Sequence, residues 1–83
     1  MSTSVLIEVK AEEVKVTNKN LIVNLVDGRK LEVPLVWFPK LLEATPAQRN
    51  KYRLIGNGIG IHWPAIDEDL SIEGLIDLRR PLH

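Results

Sequence analysis

Few side chains in this sequence could act on a substrate. Cysteine is absent, which removes thiolate nucleophiles, disulfides and zinc–thiolate sites together and fits a reducing compartment. The histidines are His62 and His83, and His83 stands at the end of the chain. A metal or acid–base cluster can be sketched from His62 with Asp67, Glu68 and Asp69. One imidazole and three neighbouring carboxylates form no recognised ligand pattern, and a calcium loop needs further oxygens and a glycine at fixed offsets. A solvated acidic turn leading into a helix N-terminus accounts for the same residues, because negative charge is favoured there. No serine or threonine sits in a nucleophile elbow, and a triad would need His62 to find both partners. The expectation is no catalytic residue, no metal and no cofactor.

Gly56-Asn57-Gly58-Ile59-Gly60 has the look of a phosphate cradle. A dinucleotide loop follows a strand and opens a helix, whereas here the pattern reads helix, glycines, strand, and no P-loop lysine follows. Helix termination and a flexible or bulged strand entry explain the glycines. The aromatics, Trp37, Phe38, Tyr52 and Trp63, are more informative. Trp37-Phe38-Pro39 and His62-Trp63-Pro64 set two tryptophans in matching contexts. Such side chains anchor protein interfaces and stack on single-stranded nucleic acid, but a small domain also needs them to close its core. Phe38 and one tryptophan are expected inside. The other is a contact candidate, so Trp37 and Trp63 both stand as candidates. Arg49, Lys51, Arg53, Arg79 and Arg80 would touch nucleic acid only if they shared a face. The chain has 11 basic and 11 acidic residues, a balance that disfavours nucleic-acid binding.

The elements that carry these residues follow from periodicity. Eighty-three residues are expected to form one domain, 1–83, with a modest core. No apolar run approaches the roughly 18 residues of a membrane span. The N-terminus reaches Glu8 too soon for a secretory signal, and a cytoplasmic location is expected. Val5, Ile7 and Val9 alternate with Leu6 and Glu8; Val14 and Val16 with Lys15 and Thr17; Leu21, Val23 and Leu25 with Ile22 and Asn24; Leu31, Val33 and Leu35 with Glu32 and Pro34. A period of two marks half-buried strands. Opposed residues share a face, so Val16 should pair with Leu21 and Val14 with Val23. The loop is then Asn18-Lys19 alone or the four residues Thr17 to Asn20, and because lysine resists positive φ the four-residue loop is expected. A two-residue Asp27-Gly28 turn would mix the faces. A three-residue loop, Val26-Asp27-Gly28, sets Val23 against Leu31 and Leu21 against Val33, with Gly28 left-handed.

Beyond Leu35 the pattern turns helical. Pro39 should open a short helix through Ala44. Thr45-Pro46-Ala47-Gln48 reads as a capping box for a second helix running to about Tyr52 or Leu54, stopped by Gly56. Ile59, Ile61 and Trp63 alternate as a later strand. Ser71 should cap a last helix with an Ile72, Leu75, Ile76 stripe, despite Gly74, and Arg79 and Arg80 would suit its dipole. The predicted class is α+β: an antiparallel meander of three to four strands, one later strand, and short helices mainly on one face. Ile22 and Val26 fall on the outer face, with Leu6 on that of its own strand. They would form an apolar patch suited to a contact, and a homodimer would bury it as well as a foreign partner would.

Asp27-Gly28-Arg29-Lys30-Leu31, Trp37-Phe38-Pro39-Lys40-Leu41, Ala44-Thr45-Pro46-Ala47-Gln48-Arg49, and Gly60-Ile61-His62-Trp63-Pro64 through Asp67-Glu68-Asp69-Leu70-Ser71-Ile72-Glu73-Gly74-Leu75 resemble the bacterial family catalogued as domain of unknown function 2442. The resemblance spans nearly the whole chain. It implies a small α+β domain, sometimes fused to a helix-turn-helix and often encoded beside another small domain, as in a toxin–antitoxin pair. It transfers no catalytic residue. A protein-interaction module, partner of a small toxin-like protein, is the leading expectation, supported also by a sheet edge open to strand addition. A small-molecule or enzymatic site at His62 and the acidic turn is the alternative, and a weak nucleic-acid contact the third.

Overall fold

The computed structural model describes residues 9–78. The alternation around Val5, Leu6 and Ile7, and residues Arg79, Arg80 and His83, lie outside them. Strands β1 (Ala11–Val16), β2 (Asn20–Leu25) and β3 (Lys30–Pro34) form an antiparallel sheet in that order. The apolar sets face one another: Val14 opposes Val23, Val16 opposes Leu21, Leu21 opposes Val33 and Val23 opposes Leu31. Glu12 is the extra residue of a bulge at the start of β1. In the first loop the Thr17 hydroxyl accepts the Asn20 N–H (2.9 Å) and the Lys19 N–H (3.2 Å), so no left-handed lysine is needed. In the second, Gly28 has φ 95°, its N–H donates to the Leu25 carbonyl (3.0 Å), and the Leu25 N–H donates to the Arg29 carbonyl (2.7 Å). This is the three-residue hairpin that face matching requires.

The helical expectations hold for α1 (Pro39–Glu43) and for the start of α2 (Pro46–Arg49). The capping box is complete: Gln48 N–H donates to Thr45 Oγ1 (3.1 Å) and Thr45 N–H to Gln48 Oε1 (2.9 Å). Helix α2 stops at Arg49, short of Tyr52. The chain is drawn instead into β4 (Arg53–Ile55), which pairs with β5 (Gly60–Trp63). Sheet pairing outweighs the helical propensity of so short a segment. Gly56 therefore ends no helix. It opens a 3-10 turn, Gly56–Gly58, between two strands. The expected later strand is β5, the middle of a second antiparallel sheet completed by β6 (Glu68–Ser71). Only Asp67 of the acidic triplet stays in the turn, at φ 54°; Glu68 and Asp69 enter β6 opposite Trp63 and His62. Ser71 caps α3 (Ile72–Leu78) by accepting the Gly74 N–H (2.9 Å).

One core joins the parts. Leu21, Val23, Leu25 and Val33 from the first sheet meet Ile61 and Trp63 from the second, with Leu35, Leu41, Ile72 and Leu75 from the helical segments. The outer edge of β1 is covered twice. The Tyr52 hydroxyl receives the Val14 N–H (3.3 Å), and Gly58 sits so close that an added Cβ would lie 2.5 Å from the Ala11 carbonyl oxygen. On the other side, α3 contacts β3. The β1 edge is thus occupied at Ala11 and Val14, one of the ways in which sheets protect an edge.

Candidate functional site

The segment from Leu35 to Leu42 presents an exposed tryptophan and two further exposed apolar side chains. Pro34 ends β3, and Leu35 is fully buried while its N–H donates to the Lys19 carbonyl (2.8 Å). Residues Leu35–Trp37 form a 3-10 turn closed by the Phe38 N–H to the Leu35 carbonyl (2.9 Å). A 3-10 turn has three residues per turn, so positions three apart share a face. Leu35 and Phe38 point inward, and the intervening Val36 and Trp37 are left 64% and 47% exposed. Helix α1 repeats the division: Leu41 is buried and Leu42 is 39% exposed. Val36, Trp37 and Leu42 are thus three exposed apolar side chains on one short stretch, each flanked in sequence by a buried neighbour.

This stretch is held from beneath by Arg49, which is only 8% exposed. Its Nε donates to the Leu41 carbonyl (3.0 Å), Nη2 to the Leu42 carbonyl (2.8 Å) and Nη1 to Asn18 Oδ1 (3.2 Å). These carbonyls lie in the last turn of α1, where a cation and its N–H groups are favoured. The Arg49 carbonyl in turn accepts the Trp63 indole N–H (3.0 Å). Lys40 Nζ donates to the Asp67 carbonyl (3.0 Å), tying α1 to the β5–β6 turn.

The expected site residues divide accordingly. Trp63 is fully buried with its N–H satisfied, so of the two candidate tryptophans it is the one inside. Phe38 is core, as expected, and Trp37 is the exposed tryptophan. Ile22 and Val26 do lie outside the core face, but among the described residues no continuous apolar patch joins them. Ile22 is half-buried between Lys15 and Glu32, Asn24 stands between the two in the strand and bonds Glu13 (3.4 Å), and Val26 is 61% exposed beyond the strand end. Arg49 is committed to the interior and leaves the basic set. His62 Nδ1 pairs with Asp69 Oδ1, and Arg53 opposes His62 from β4, so a row of guanidinium, imidazole and carboxylate crosses the outer face of the second sheet. Asp67 and Glu68 do not join it. Among the described residues no group of three histidines and carboxylates could hold a metal ion. Sequence reasoning missed Val36 and Leu42. The signal was present in the spacing of Leu35, Phe38 and Leu41, whose inward placement turns the residues between them outward.

No helix among the described residues is long and apolar enough to cross a membrane. No curated protein matches the chain. Two solved structures are similar. A protein of unknown function from Rhodospirillum rubrum aligns with a TM-score of 0.74 at 29% identity, over 86% of this chain and 88% of that one. An uncharacterised protein from Chromobacterium violaceum aligns with a TM-score of 0.70 at 23% identity, over 88% of this chain and 69% of that one, and shares the fold. The family model of proteins of unknown function named DUF2442 matches residues 11–81, so the chain belongs to that family.

Proposed function

We propose that this protein is an interaction module of one domain, acting in the cytoplasm, that binds a small protein partner through Val36, Trp37 and Leu42. The observation that carries the reading is the contrast between the tryptophans. Trp63 is spent on the core, while Trp37 is held half-exposed on a backbone anchored by Leu35, Phe38 and Arg49. A large aromatic on a fixed backbone loses little entropy on binding, which is why such residues dominate interface energetics. The contacts of Tyr52 and Gly58 along the β1 edge favour side-chain docking over strand addition there.

Affinity capture from the native host, followed by reconstitution with the purified captured protein, tests this. Trp37→Ala and Leu42→Ala should weaken the reconstituted complex, and Val26→Ala should not. Sedimentation of the free protein covers self-association: a dimer lost in Trp37→Ala would make the partner a second copy. The His62–Asp69 pair supports a second reading, a small-molecule site on the second sheet, which predicts ligand-induced shifts at His62 rather than at Trp37.

A further inference from the structure

The turn between β4 and β5 holds chemistry that the interaction surface does not use. Asn57 is exposed, with φ 62° and ψ 26°, and is followed by Gly58 at φ 106°, which is buried. In an Asn-Gly pair the glycine nitrogen meets little steric resistance in attacking the preceding side-chain amide, because no Cβ shields it. We propose that Asn57-Gly58 is a modification site gated by this turn, closed while the turn is seated on β1 and converted to an aspartyl or isoaspartyl linkage when it lifts away.

The chemistry balances with water as the only co-reactant. The Gly58 nitrogen bonds to Asn57 Cγ and gives its proton to solvent. The Cγ–Nδ2 bond breaks and ammonia leaves. Water then opens the cyclic imide at either carbonyl, and nothing is oxidised or reduced. Closing the imide ring requires ψ of Asn57 to swing well away from 26°, carrying Gly58 with it. Gly58 is packed closely on the Ala11 backbone, where an added Cβ would lie 2.5 Å from the Ala11 carbonyl oxygen and 3.0 Å from the Ala11 nitrogen, so the swing would break that contact. The far arm is pinned as well, by Ile55 opposite Gly60 and by the Ile72 N–H to the Ile59 carbonyl (2.9 Å). Reaction therefore waits on local opening, and its rate scales with the open fraction. An isoaspartyl link adds a backbone carbon between residues 57 and 58, so a turn that carries it cannot regain both its left-handed geometry and its seat on Ala11, whereas an aspartyl link leaves the backbone unchanged.

Asp27-Gly28 provides an internal contrast. Its carboxylate accepts the Arg29 backbone N–H (3.0 Å) and Nε–H (2.8 Å). A carboxylate held ionised in this way is a poor target for the same attack.

The test is timed incubation of the full chain at mildly alkaline pH, native and in denaturing urea, read by fragmentation mass spectrometry that separates aspartyl from isoaspartyl products. Conversion at Asn57 should be at least about tenfold slower in the native protein than in the unfolded chain. It should rise in sub-denaturing urea before the Val23 amide exchanges, and be absent in Asn57→Gln. Amide exchange at Gly58 and Ile59 should be faster in the isoaspartyl protein than in unconverted protein. Equal native and unfolded rates, or faster conversion at Asn18, Asn20, Asn24 or Asn50 in the unfolded chain, would overturn the proposal. So would native protection at Gly58 in the isoaspartyl protein.

Discussion

Replacing Arg49 by lysine would keep the positive charge but lose the planar fork that reaches Leu41, Leu42 and Asn18 together. An ammonium on a flexible stem cannot reproduce three divergent hydrogen bonds in a site this buried. Arg49→Lys should therefore destabilise by about 2–3 kcal/mol, measured by urea unfolding. A loss below about 0.5 kcal/mol, the scale of a neutral surface change, would show that the fork is dispensable. Asp27 offers a gentler test. The Arg29 backbone N–H, with the Arg29 side chain adding to it, holds the Asp27 carboxyl below the ordinary aspartate range. A depressed folded pKa contributes stability above the unfolded pKa that is lost as pH falls through the folded one. The Arg29 amide resonance should accordingly titrate below the usual carboxylate range, and Asp27→Asn should abolish that titration. Neither contact of Asp27 could be read from sequence beyond the turn itself. The role of Arg49 was hidden altogether, since an arginine in a basic stretch looks like surface until the fold shows what it caps.

The hairpins and capped helices were legible because each has a local rule. Gly28 has open space around it, so any cost of a side chain there comes from the left-handed backbone and not from a clash. Gly28→Val should cost more than about 1 kcal/mol in thermal unfolding, because β-branched residues resist that conformation. A neutral result would mean that the turn rearranges freely. Thr45→Ala removes the hydroxyl that accepts the Gln48 N–H and should cost about 1 kcal/mol, while Thr45→Ser should restore most of it. The second sheet was only partly legible. Strand β4 has three residues, too few to show a period, and β6 begins with Glu68 and Asp69, which have low strand propensity. Both are strands because β5 offers them partners, which is tertiary information. The same limit applied to α2: nothing local tells the chain to leave the helix at Arg49.

Among the described residues, two small sheets and helices α1 and α3 share one core, and the two tryptophan motifs serve it differently. The His62-Trp63-Pro64 motif puts its tryptophan inside, bonded to Arg49. The Trp37-Phe38-Pro39 motif puts its phenylalanine inside and its tryptophan out. Sequence alone left open which tryptophan was which, because both precede an apolar or proline position and only the three-residue periodicity of the 3-10 turn separates them. Val36, Trp37 and Leu42, exposed together on one short stretch, are the proposed partner surface; Ile55 and Ile59, exposed beside the β4–β5 turn, are a second apolar pair without an exposed aromatic. The decisive measurement is calorimetric titration of the reconstituted partner, or dilution of the homodimer if the protein is its own partner, with wild type and Trp37→Ala. The account predicts that Trp37→Ala weakens association by at least about 2 kcal/mol, roughly thirtyfold, with an unchanged unfolding midpoint. Equal affinity for the two proteins would contradict it.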